Sequence, residues 1–132
     1  MAKYAYVKVP ANGYPEIIDK NELSISYRET TEAVGGCIDV VKPFKEDDIR
    51  IVCNDEGKLR DMRVNLYASQ LYGYSHDYIA GDVIICGQGI NADGEPDIIP
   101  LPIARACDIW IDALLLYQGV RLWQLQHSSN EN

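Results

Sequence analysis

Histidine is nearly absent from this chain of 132 residues, which has only His76 and His127. The four cysteines, Cys37, Cys53, Cys86 and Cys107, are widely separated and include no C-x-x-C pair, so no zinc-ligand pattern is present. Basic residues are also few: 12 Lys and Arg stand against 20 Asp and Glu, for a net charge of −8. That balance excludes broad binding along a DNA or RNA backbone, but not a small anion held in a local pocket. No apolar run approaches the roughly 20 residues needed to cross a bilayer. The longest, Ile109 to Tyr117, is interrupted by Asp112. The start, Met1-Ala2-Lys3-Tyr4, leads into strand-like alternation without the apolar core of a secretory signal, so a cytoplasmic, reducing setting is expected.

What is present describes one folded unit. Hydrophobic residues at 47% and charged residues at 24% match an ordinary globular domain, and the length suits a single core. The expected fold is a compact α+β domain over residues 1–126 with a mainly antiparallel sheet, followed by a disordered tail at 127–132. Alternation over Tyr4 to Val9 predicts a strand, ended by Pro10 and the Asn12-Gly13 turn, with a short partner at Glu16 to Asp19. A short helix near residues 29–34 is closed by Gly35-Gly36. Strands are expected at Cys37 to Val41 and Ile49 to Cys53, the second followed by a turn at Asn54-Asp55-Glu56-Gly57. Asp82 to Cys86, bounded by glycines, reads as a central buried strand. Met62 to Ala80 predicts one helical turn and a long ordered loop. Ile103 to Gln126 is the clearest helix, with Gly119 a candidate break. Cys37, Cys53 and Cys86, in apolar strand contexts, are expected to be free and buried.

Two motifs dissolve on inspection. Gly87-Gln88-Gly89-Ile90-Asn91-Ala92 has the outline of a dinucleotide fingerprint, but Asp93-Gly94-Glu95-Pro96 follows where the phosphate-facing helix must begin. Asn91, Asp93, Glu95 and Asp97 offer oxygen ligands, yet an EF-hand register would put Gly89 at its first position and Pro100 at its last. The stretch therefore reads as a solvated hairpin turn, and neither a metal nor a cofactor is expected.

Tyrosine is the abundant aromatic, with nine against two tryptophans and one phenylalanine. Tyr67, Tyr72, Tyr74 and Tyr78 crowd together near Arg63, Asn65, Gln70 and His76. A flat apolar ring with a polar tip suits recognition of bases, sugars or protein surfaces, and equally suits a half-buried lid over a small core. The C-terminal helix carries apolar residues on more than one face, so it is either sunk in the core or packed against another chain. Trp110, Leu114, Tyr117 and Trp123 are the candidate oligomer contacts.

The succession Glu32-Ala33-Val34-Gly35-Gly36-Cys37-Ile38-Asp39-Val40-Val41, Val52-Cys53-Asn54-Asp55-Glu56-Gly57-Lys58-Leu59, Asn65, and Ile79-Ala80-Gly81-Asp82-Val83-Ile84-Ile85-Cys86-Gly87 resembles the domain of unknown function 3846 family. The likeness spans roughly residues 3 to 100. It implies a small single-domain protein of bacteriophages, plasmids or other mobile elements with a mixed β-rich fold, and it brings no established activity or catalytic residues. The Tyr-rich segment and the helix after Pro102 depart from the short members.

The expectation that follows is a non-enzymatic, homo-oligomeric protein of the host bacterium's cytoplasm. It would act in counter-defence by sequestering a small nucleotide-type signal, with no cofactor and no contact to membrane, DNA or RNA. Tyr67, Tyr72 or Tyr74 would stack on a base, and Asn54, Arg63, Asn65 and His76 would supply polar contacts. The alternative is an acidic inhibitor that occupies a host defence or nucleic-acid-binding protein. A second alternative is a small hydrolase using His76-Asp77.

Overall fold

The computed structural model describes residues 2–128. Strands β1 (Tyr4–Val9), β2 (Glu16–Lys20), β3 (Ile38–Val41), β4 (Arg50–Asn54), β5 (Val83–Ile90), β6 (Pro96–Ile99) and β7 (Leu101–Pro102) form one sheet. Helices α1 (Tyr27–Val34), α2 (Leu66–Tyr72) and α3 (Ile103–Ser128) pack on it. The strand order is β2-β1-β5-β4-β3, and every strand pairing is antiparallel. Pro100 divides β6 from β7, which pair in turn with β5 and with β1.

The two-residue period of the strands sorts the core into two layers. Val7, Val9, Ile51, Cys53, Val83 and Ile85 face one way, toward α2 and α3, together with Ala68, Ala106, Ile109 and Ala113. Tyr6, Val52, Ile84 and Cys86 face the other way, toward Ile25 and Val34 at the ends of α1. A central strand covered on both faces has no polar alternation to display, which is why Val83 to Cys86 is uninterrupted apolar sequence.

Local chemistry explains where the helices start. Ser26 caps α1: its Oγ accepts from the Glu29 N–H at 3.1 Å, and Glu29 Oε1 accepts from the Ser26 N–H at 3.1 Å. This reciprocal box starts the helix at Tyr27, ahead of the expected bound, and Gly35 closes it at φ 79°. Asn65 caps α2 in the same manner, accepting from the Ala68 N–H. Helix α3 continues through Gly119, which therefore does not break it. Of the tail expected to be disordered, His127 and Ser128 are helical, and residues 129–132 lie outside the described residues. Strand β5 extends to Ile90 and pairs with β6, a strand that the prolines and acidic residues of its sequence conceal. The turn between them is the expected hairpin, with Asn91 Oδ1 accepting from the Asp93 and Glu95 N–H groups.

Cys53 and Cys86 are buried strand residues as expected, and burial pushes their thiols up to about 11 and about 12. Cys37 corrects the expectation: it precedes β3 and is exposed.

Candidate functional site

Two of the residues expected to touch a ligand are structural. Asn65 is 1% exposed and its side chain is saturated. Its Nδ2 donates to the Val9 and Gly81 carbonyls, both at 2.9 Å, while Oδ1 accepts from the Ala68 N–H at 3.1 Å. A short polar side chain between a strand end, a loop and a helix start satisfies three buried backbone groups at once. Asn54 is 6% exposed, donates from Nδ2 to the Val34 carbonyl at 3.1 Å and accepts at Oδ1 from the Glu56 N–H at 2.8 Å. It holds the turn after β4 to the end of α1.

The tyrosines do not converge on one place. Tyr67, in α2, is half-buried against the sheet and α3, and burial raises its phenol to about 12. Tyr72 and Tyr74 lie at the other end of α2, with ring centroids 4.6 Å apart, and Phe44 sits edge-on to Tyr74 at 5.4 Å. These rings form a small aromatic cluster that fixes the loop before β4 to the end of α2, where the Phe44 N–H also donates to the Tyr72 carbonyl. Asp77 accepts from Lys58 Nζ and from the Tyr78 N–H. Lys58 also lies over the Tyr78 ring, 4.7 Å from its centroid. The lysine hydrogen bond and then the Tyr78 N–H hold the Asp77 carboxyl below its ordinary value. His76 is exposed beside it. The carboxylate that a His76-Asp77 acid-base pair would need is thus committed to Lys58 and the Tyr78 N–H.

The acidic run before β4 is likewise committed. Arg105 of α3 bonds Asp48 at 2.8 Å and Glu46 at 3.0 Å, and Lys42 bonds Asp47 at 2.8 Å. Among the C-terminal residues expected at an oligomer contact, Trp110 donates from its indole to the Pro15 carbonyl at 2.9 Å. Tyr117 meets Tyr14 edge-on at 4.8 Å. Both therefore serve the chain's own packing. Leu114 is half-buried, and Trp123 is exposed and stacked on His127.

The feature that brings candidate residues together is a cavity of about 330 Å³ between the β1-β2 turn, the start of α2 and one side of α3. Pro10 and Ala11 border it from the turn, Leu66 and Tyr67 from α2, and Leu116 and Tyr117 from α3. Arg63 is the only charged residue among the described residues that line it, and it is exposed. Of the expected ligand contacts, Arg63 and Tyr67 reach this cavity with usable groups. Asn65 borders it with its amide already spent, while Tyr72 and Asn54 border a separate hollow beside Lys58 and Asp77. The α3 wall was missed as a binding surface. Its signal was the four-three-four spacing of Ala113, Tyr117, Val120 and Gln124, which places one stripe of α3 over the turn.

Among the described residues no group of three or more His, Cys, Asp and Glu side chains is placed to hold a metal ion, and no helix is long and apolar enough to cross a membrane. The family model for a domain of unknown function (DUF3846) matches residues 3–114. The match spans the Tyr-rich segment and reaches further than the resemblance noted in the sequence, into the first half of α3. No curated protein and no solved structure matches the chain.

Proposed function

The chain belongs to the domain of unknown function 3846 family, and because that family supplies a fold without an activity, we propose from the site alone that the protein binds a small nucleotide-type molecule without turning it over. The observation that carries the reading is a single cation on an otherwise uncharged, mainly apolar cavity in a chain of net charge −8. A phosphate is repelled by most of this surface and attracted at Arg63. The ring system of the same molecule gains contact with Tyr67, Tyr117 and Leu116. The cavity's volume lies at the small end of the roughly 300–1,000 Å³ range of ligand sites, which suits one mononucleotide better than a dinucleotide. In the mobile-element setting that the family resemblance implies, such binding would serve counter-defence by removing a host signal from solution.

Calorimetric titration of the protein with nucleoside monophosphates, cyclic nucleotides and ADP-ribose tests the proposal. Arg63→Ala removes a charge-assisted hydrogen bond, worth about 1.5–3 kcal/mol, and should weaken binding about 10- to 100-fold. Leu116→Trp fills the cavity and should abolish binding. If no member of the panel binds, or if both variants bind as the parent does, the reading is wrong. A host protein captured in place of any nucleotide would favour the protein-inhibitor alternative.

A further inference from the structure

Helix α3 carries two apolar stripes on opposite sides. The stripe containing Ala106, Ile109 and Ala113 is buried against the sheet. The other consists of Ile111, Leu115, Gln118, Leu122 and Leu125, spaced four, three, four and three residues apart. At 100° per residue these five positions stay within about 40° of one line, roughly opposite Ile109 and Ala113. Its aliphatic members are 46% (Ile111), 61% (Leu115), 62% (Leu122) and 59% (Leu125) exposed, and every described residue after Val120 is exposed. Four large aliphatic side chains in one exposed line leave apolar surface in water that burial against a partner would remove, so this side of α3 calls for a cover.

We propose that the cover is the same stripe of a second copy, paired as a two-stranded coiled coil. Three observations select this occupant. An average spacing of 3.5 residues is the period at which one helix meets another along its length. Gln118 interrupts the aliphatic seam at its centre, and a side chain that both donates and accepts is satisfied there by another Gln118, which faces it whether the two helices run parallel or antiparallel about that point. Charge is the third: although the chain carries −8, the seam from Ile111 to Leu125 holds one acid, Asp112, and one base, Arg121, so two copies meet along a stretch with no net charge. The seam from Ile111 to Leu125 is about 21 Å long. A seam of that length belongs with small interfaces, below about 1,200 Å² in total, which are those of weak and transient association.

The pairing uses the side of α3 turned away from the Arg63 cavity, so its test is independent of ligand binding. Sedimentation velocity of the full chain from about 1 µM to about 1 mM should show a monomer giving way to a dimer. Leu115→Glu with Leu122→Glu should weaken the dimer at least 100-fold while leaving the melting temperature of the dilute monomer unchanged. Both positions are exposed, so the domain keeps its fold. Gln118→Cys, oxidised at high concentration, should form a 118–118 disulfide identifiable by mass spectrometry, because the middle of the seam faces itself in either orientation of the pair. A chain that remains monomeric throughout, a dimer that survives the double glutamate variant, or a dimer in which Gln118→Cys does not link to itself would each overturn the proposal.

Discussion

Replacing Asn65 with alanine separates a ligand contact from a structural clasp. A contact residue could be truncated with little loss of stability. Asn65, 1% exposed, instead satisfies the Val9 and Gly81 carbonyls and caps α2. Alanine leaves two acceptors without their donor, each costing about 1–3 kcal/mol when buried, and removes a cap worth about 1 kcal/mol. The three losses share one site and do not add fully, so about 3–5 kcal/mol is expected. That is a large fraction of the 5–15 kcal/mol typical of a domain, and at about 3–5 °C per kcal/mol for this size it lowers the melting temperature by about 10–20 °C. Asn65→Asp keeps the cap acceptor but loses both donors and sets a carboxylate against two carbonyls, so it should be no better than alanine. Urea unfolding followed by circular dichroism measures the change, with Arg63→Ala as the exposed neighbour expected within about 0.5 kcal/mol of the parent. If Asn65→Ala is destabilised by less than about 1 kcal/mol, the clasp argument fails and the ligand role returns.

Three further outcomes follow from the structure. Glu29 loses solvation by partial burial, which would raise its carboxyl, but the hydrogen bonds from Lys20, the Ser26 N–H and Tyr6 prevail and hold it at about 2 against an ordinary 4.5. The folded value is depressed, so this contribution is complete above about pH 4.5 and is lost as pH falls toward about 2. Glu29→Gln should flatten the pH dependence of unfolding across that window. In a thiol-labelling experiment Cys37 should react at once and Cys107 more slowly, while Cys53 and Cys86 should react only as the protein unfolds; early labelling of Cys86 would contradict its place in β5. Gly119→Ala meets nothing within 4 Å and removes a flexible residue from the interior of α3, so it should stabilise the helix by about 0.5–1 kcal/mol in a thermal melt.

The sheet was legible because its signal is local and doubled. Alternation in β1 and the apolar run of β5 each require a buried partner, and glycines, Pro10 and the Asn-Gly turn fix most of their limits. Strand β6 was hidden because Pro96 and Asp97 suit an exposed edge and its pairing to β5 is imposed by the hairpin between them. The site was less legible for a physical reason that Asn54 and Asn65 make plain. An amide beside a turn has the same sequence appearance whether it faces solvent or closes on backbone groups, and the carbonyls of Val34, Val9 and Gly81 that decide the matter lie 20, 56 and 16 residues away. Arg63 and Tyr67 could be proposed from composition alone, but the α3 side of their cavity could not, since it depends on where the helix crosses the β1-β2 turn.

That crossing assigns different tasks to different parts of the chain. The family match ends at residue 114, so the sheet, α1, α2 and the buried start of α3 belong to the shared domain. Leu116, Tyr117, Val120 and Gln124, which wall the cavity opposite Arg63, lie after it. So do Leu115, Gln118, Leu122 and Leu125 of the outer stripe. The matched part of this chain carries Arg63 and one wall, and the continuation of a single helix carries the other wall on its inner side and an exposed apolar stripe on its outer side. Substitutions at Leu116 and at Leu122 should therefore act on separate properties, although the residues are six apart on the same element, because a helix of this length presents its two sides to different surroundings.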